Sequence, residues 1–187
     1  VAPHYLKIAL VLALHCGMRR GEVCGLKWSN VDFKTGFIRL MADQTKEGKP
    51  KSIPMPPAVR KILKETPPTL HQNHVVLHMG KPVFVGTFTY ALKTSCKKAG
   101  IPYGMKNEDG LRLHDLRAFW KSGATKAGLD PAIRSKILGH ALTGMDAYYL
   151  RFTDDDLRAA MDRYTAWLEG ELQKAYQSAY QVQAISS

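Results

Sequence analysis

A small set of polar side chains has types and spacings that could do chemistry together. Arg19 stands just after Gly17, at the start of a short helix whose free backbone N–H groups also favour anions. Glu22 lies three residues on, on the same helical face. Taken by themselves, the two read as an exposed ion pair worth under about 1 kcal/mol. His114 and Arg117 are also three apart and flank an apolar stripe, which puts them at the edge of a core. His140 follows Gly139, so its ring emerges from a tight turn; a lone histidine there is ordinarily a capping or core residue. Lys46, Lys49 and Lys51 surround a turn in QTKEGKPKSIP, and Lys49 and Lys51 read as solvated. Tyr148 and Tyr149 stand side by side in LGHALTGMDAYYL. Successive helical residues point about 100° apart, so the two cannot face one group together. Either tyrosine completes an apolar stripe with Met145 and Phe152, so periodicity does not choose between them.

Two arginines, two histidines, a lysine and a tyrosine suit attack on a phosphodiester. That reaction accumulates negative charge on the non-bridging oxygens, which two guanidinium forks hold bidentately. A phenol is a poor nucleophile until its proton is removed, and a neighbouring histidine can remove it near neutral pH. The departing 5′ oxygen needs a proton, which a lysine among cations can supply. No divalent ion is required, because the arginines replace it electrostatically. His71, His74 and His78 are the one histidine cluster, in HQNHVVLH; the Val-Val-Leu between them favours a strand, and no cysteine or carboxylate completes a ligand set. No metal and no cofactor are therefore expected.

The whole-chain balance agrees. Lys plus Arg number 27 against 16 Asp plus Glu, a formal net charge of +11 and a pI near 9.6. The basic residues run from Lys7 to Arg163 rather than forming a tail, which points to a folded basic surface facing a polyanion, with nucleic acid first in line. At 187 residues the chain suits one domain, 1–170, plus a tail, 171–187, either docked on a neighbouring subunit or disordered. No apolar run approaches the roughly 20 residues of a membrane span. Cys16, Cys24 and Cys96 are odd in number and sit in apolar stretches, as reduced core residues of an intracellular, cytoplasmic protein would.

The elements that must position these residues are mostly helical, an α+β class with a small antiparallel sheet in the N-terminal third. Residues 3–16 form an apolar helix closed by a left-handed Gly17, and RRGEVCGLKW a second helix broken at Ser29-Asn30. VDFKTGFIRL and QTKEGKPKSIPM read as strands with turns at Thr35-Gly36 and Glu47-Gly48. PPAVRKILKET opens a helix on proline, and HVVL and PVFV are short strands around Met79-Gly80. Helices follow over 87–99, over the stripe Leu113, Leu116, Trp120, Ala124 and Ala127, and from Asp130-Pro131 to Gly139. A last helix is capped by Thr153 with Asp156.

With these residues in place, the chain resembles the catalytic domain of the tyrosine recombinases, the phage integrase family. ALHCGMRRGEVCGLKWSNVDF matches the box around the first arginine, TKEGKPKSIPM the hairpin, LRLHDLRAFWKSGATKAGL the second box and ILGHALTGMDAYYLRF the last. The resemblance implies that Arg19 and Arg117 clamp the scissile phosphate and that Lys46 is the general acid for the 5′ hydroxyl. His114 would assist proton transfer at the tyrosine, His140 would contact the phosphate, and Glu22 and Asp115 would be structural supports. The family's nucleophile lies nine residues after the Leu-Gly-His histidine, which selects Tyr149. Cys16 stands where threonine is usual, a small-for-small change. The resemblance further implies double-stranded DNA as partner, self-association as a tetramer on DNA, and an upstream core-binding domain that these residues do not include. A catalytically inactive DNA-binding protein of this fold, a type IB topoisomerase and a metal-bound hydrolase are the rival readings.

Overall fold

A computed structural model describes residues 2–104, 109–140 and 150–185 of the chain. Helix α1 (His4–Cys16) is the centre of the core, with Leu6, Ile8, Ala9, Leu12 and Ala13 fully buried. It is apolar nearly all round because it is covered on several sides. Helices α2 (Arg20–Cys24), α3 (Pro57–Lys64), α4 (Val85–Lys98) and α5 (Leu113–Lys126) all pack against it. Helix α6 (Pro131–Leu138) packs on α5, and α7 (Asp154–Ile185) lies against α5 and α6.

The C-terminal end of α1 is buried, so its free carbonyls need donors. Gly17 adopts φ 60°, and the backbone N–H groups of Gly17 and Met18 return to Ala13 O and Leu12 O. Side chains from elsewhere take three more carbonyls. Tyr164 Oη of α7 donates to Leu14 O at 2.7 Å, Trp120 Nε1 of α5 to His15 O at 3.1 Å, and Arg117 Nη1 to Gly17 O. Gly17 is required for space as well as for conformation, since a Cβ there would lie 2.9 Å from Leu138 and 3.0 Å from the Trp120 ring.

Three antiparallel strands, β1 (Val31–Asp32), β2 (Phe37–Leu40) and β3 (Lys51–Pro54), lie in the order β1-β2-β3. The register pairs Ile38 with Ile53 and Leu40 with Lys51. A second ribbon joins β4 (Leu77–His78) to β5 (Lys81–Pro82); it overlaps the expected strands HVVL and PVFV by one residue each, and Val85 already begins α4. The mostly helical α+β class with a small sheet is therefore the observed one.

Two local expectations change. The second helix stops at Cys24 rather than reaching Trp28, because Leu26 O and Trp28 N pair with Val75 N and Asn73 O at 2.8 Å each. Tertiary backbone pairing overrides helical propensity there. The hairpin strand begins at Lys51 rather than near Gln44. Thr45 Oγ1 accepts from Lys49 N and donates to Lys49 O at 2.8 Å, with Ala42 O also in reach at 3.1 Å, which ties residues 42–49 into a local turn instead of a ladder. At the other end, the tail of residues 171–185 continues α7 without a break. The Thr153–Asp156 capping box is present in both directions, at 2.8 Å and 3.2 Å.

Packing of α5 on α7 depends on the absence of a side chain at Gly123, where a Cβ would come 2.1 Å from the Trp167 ring. Trp167 is held in turn by Phe119 and Tyr164, at ring separations of 5.6 and 5.9 Å. We predict that Gly123→Ala destabilises the fold by about 1–3 kcal/mol through overpacking. Thermal unfolding followed by circular dichroism checks this, and an unchanged midpoint would count against the packing described.

Candidate active site

Arg19, at the N-terminal cap of α2, is fixed by Glu22. The Arg19 backbone N–H donates to Glu22 Oε2 at 2.8 Å, and its Nη1 lies 3.4 Å from Oε1. Glu22 is buried, so the exposed ion pair expected from spacing is instead a carboxylate inside the protein. A carboxylate there is costly unless paired and hydrogen-bonded. Its second partner is Lys51, whose Nζ donates to Oε2 at 2.8 Å. Lys51 is likewise a correction: expected in a solvated turn, its side chain is 0 % exposed. The strand alternation K-S-I-P carries the missed signal, since Lys51 shares the core face with Ile53 while Ser52 faces Arg39.

Arg117 reaches the same place from the first turns of α5. It is buried, and it donates to Gly17 O and, at 3.0 Å, to Leu138 O, joining the ends of α1 and α6. Burial and then the nearby Arg19 charge push its guanidinium down to about 10, still cationic at neutral pH. Cations beside helix C-termini are favoured by the aligned carbonyls, which partly offsets that cost. Gly139, at φ 73°, turns the chain out of α6, and His140 Nε2 comes 3.2 Å from Arg117 Nη2. Arginine only donates, so His140 accepts with a neutral ring. Burial first, then Arg117 and Arg19, hold the imidazole below its ordinary value, which keeps it neutral at pH 7.

Arg19 and Arg117 line one cavity of about 490 Å³ together with Lys46, His114, Arg20, Thr89 and Arg112. His114 and Lys46 are exposed in it. Asp115 makes no contact with Arg19 or Arg117 among its described hydrogen bonds: it accepts from Arg112 N at 2.8 Å and pairs with the Arg112 guanidinium on the cavity wall, capping α5 and so holding the turn that carries His114. The Arg19 fork itself is engaged by Glu47, Nη1 to Oε2 at 2.6 Å and Nη2 to Oε1 at 2.5 Å. Sequence reasoning named Glu47 only as a turn residue, yet it sits next to Lys46. Among the described residues no cluster of His, Cys, Asp or Glu could hold a metal ion, and His78 instead packs on Tyr5 at 4.8 Å. No helix among them is long and apolar enough to cross a membrane. Tyr148 and Tyr149 lie outside the described residues.

The two Glu47 oxygens sit side by side on the Arg19 fork, in the geometry that a phosphate would need there. We predict that Glu47→Gln tightens binding of inorganic phosphate about tenfold, because a competing charge-assisted pair is removed. Titration calorimetry at low salt measures it; unchanged affinity would mean that Glu47 does not compete for the fork.

Residues 2–155 match the phage integrase family. A tyrosine recombinase of Thermosipho africanus is 26% identical over 151 residues, covering 80% of this chain and 50% of that protein. Among solved structures, the integrase of mycobacterium phage Brujita superposes with a TM-score of 0.67 at 18% identity, over 88% of this chain and 53% of that one. The Tn1549 transposon integrase in complex with circular intermediate DNA gives 0.57 at 23% identity, over 84% and 57%. The chain thus spans about half the length of the relatives it matches.

Proposed function

The chain belongs to the phage integrase family, and from that premise we propose that it is the catalytic domain of a site-specific recombinase that cleaves and rejoins DNA through a covalent 3′-phosphotyrosine at Tyr149. The observation that carries this reading is the convergence of Arg19 and Arg117 on one cavity, with His140 against Arg117 and with Lys46 and His114 on the cavity wall. A phosphodiester seated there meets two guanidiniums at its non-bridging oxygens, where charge grows as the phosphorus becomes five-coordinate.

The Tyr149 oxygen attacks phosphorus, and its proton passes to His114. The bond to the 5′ oxygen breaks, and Lys46 supplies that oxygen with a proton. The other product end stays esterified to the tyrosine, so the energy of the broken bond is kept and no nucleotide triphosphate is needed. A 5′ hydroxyl from a second DNA then attacks the phosphotyrosine and gives its proton back to Lys46, while His114 returns its proton to the departing phenol oxygen and the strands are rejoined. Neutral His140 accepts from Arg117 and leaves both guanidiniums free of a competing cation at the phosphate. Asp115 and Glu22 act on this chemistry only by holding α5 and Arg19 in place.

Double-stranded DNA is the partner this reading requires, and the net charge of +11 suits it. The Tn1549 relative in complex with DNA supports the same partner. Integration or excision of a mobile element, assembly of four copies on DNA, and completion of a clamp by a core-binding domain belong to the same proposal, as does a cytoplasmic setting. So does the division into a catalytic unit over 1–170 and a segment over 171–187 that docks on a neighbouring subunit.

A nicked suicide substrate tests the reading, because cleavage releases a short fragment and traps the protein on DNA. The protein is expected to form an adduct that survives denaturing electrophoresis. Tyr149→Phe abolishes it and Tyr148→Phe keeps it; the reverse pattern would move the nucleophile to Tyr148. Arg19→Ala and Arg117→Ala each slow adduct formation about a hundredfold or more while DNA affinity changes little.

A further inference from the structure

We infer that Lys51 is a positioning residue for the phosphate-binding arginines, acting through Glu22, and that it never touches DNA. The inference rests on the recombinase reading above. Lys51 begins β3, and three features set it apart from the other lysines of the hairpin. Its side chain is 0 % exposed, whereas Lys46 and Lys49 are exposed. Its ammonium is spent on the buried Glu22 carboxylate at 2.8 Å. Its aliphatic stem runs beneath Gly139, so close that a Cβ at Gly139 would lie 2.9 Å from Lys51 Cδ.

These contacts connect both halves of the site. Glu22 Oε2 accepts from Lys51 Nζ and from the Arg19 backbone N–H, each at 2.8 Å, while Oε1 faces the Arg19 guanidinium at 3.4 Å. The longer distance on the guanidinium side matters. With one oxygen satisfied by Lys51 and the Arg19 N–H, the carboxylate holds Arg19 without drawing its fork inward. Remove the ammonium, and among the described residues a buried carboxylate is left with Arg19 as its one hydrogen-bonded cation; the fork is then pulled toward Glu22 and away from the phosphate. On the other side, the stem under Gly139 packs against the turn that delivers His140 to Arg117. Burial lowers the basicity of Lys51, and the nearby charges of Arg117 and Arg19 lower it further. A site that only needed a filler would not hold a third cation beside two others. The ammonium is there because a carboxylate shared by three donors fixes a geometry that one shared by two does not.

The prediction separates positioning from DNA contact by salt dependence. Each phosphate contact made by a lysine contributes about 0.9 to the slope of log affinity against log salt. In Lys51→Met, equilibrium binding measured by fluorescence anisotropy keeps both its affinity and its slope, while adduct formation at saturating suicide substrate slows about a hundredfold. In a Glu22→Gln background the same change costs less than about threefold, because Lys51 has lost the group it acts through. If Lys51→Met alone fails to fold, the comparison of Glu22→Gln with the double variant, from which both charges of the pair are gone, still decides the question.

A slope lowered by about 0.9 would make Lys51 a DNA contact and overturn the inference. Adduct formation at the rate of the unsubstituted protein would overturn it too, as would equal losses in the two backgrounds. Absence of any adduct with the unsubstituted protein would instead overturn the recombinase reading, and this inference with it.

Discussion

The buried C-terminal end of α1 is the constraint on which the rest of the structure depends. A helix that is apolar on all sides can be surrounded, but its last carbonyls then lose water and must find donors within the protein. Those donors are Tyr164, Trp120 and Arg117, each from a different turn of α7 or α5. The same three hydrogen bonds therefore assemble the helices and bring a guanidinium to the mouth of α1. Arg117 thus joins the ends of α1 and α6 and also lines the cavity.

From that anchor the charges follow. Arg117, Arg19 and Lys51 lie close enough to repel one another, and burial raises the cost of charging Arg117 and Lys51. Three things offset it: the carbonyls at the ends of α1 and α6, the single carboxylate of Glu22, and the neutral ring of His140. What remains is a cationic excess directed at one cavity, which suits an anion whose charge increases during reaction. Glu47 occupies the Arg19 fork and lowers that excess. The hairpin holding it is closed by Thr45 rather than by a ladder, so Lys46 and Glu47 sit on a short turn that can be rearranged at small cost.

Much of this was legible in the residues. Gly17, Gly139 and Asp130-Pro131 mark helix ends because only certain backbones fit there, and those ends are where the structure has them. The 3.6-residue stripe through Trp120 and Ala124 announces the buried face of α5. The spacing of Arg19, His114, Arg117 and His140 supplied their candidacy, and Arg19, His114 and Arg117 line the cavity with Lys46. Less legible were Glu22 and Lys51. An i to i+3 ion pair looks the same in sequence whether water or protein surrounds it, and a lysine near a turn is usually solvated.

What the sequence by itself determined was most of the elements and which residue types are candidates for chemistry, because helix caps, periodicity and residue types are local properties. What only the tertiary structure decided was which charges are buried, which carbonyls they satisfy and which carboxylate they share. Lys51 and Glu22 stand 29 positions apart and meet on a core face; Arg117 and Gly17 stand 100 apart and meet at a helix end. Burial and pairing are set by what packs around a group, and no stretch of neighbouring residues contains that information.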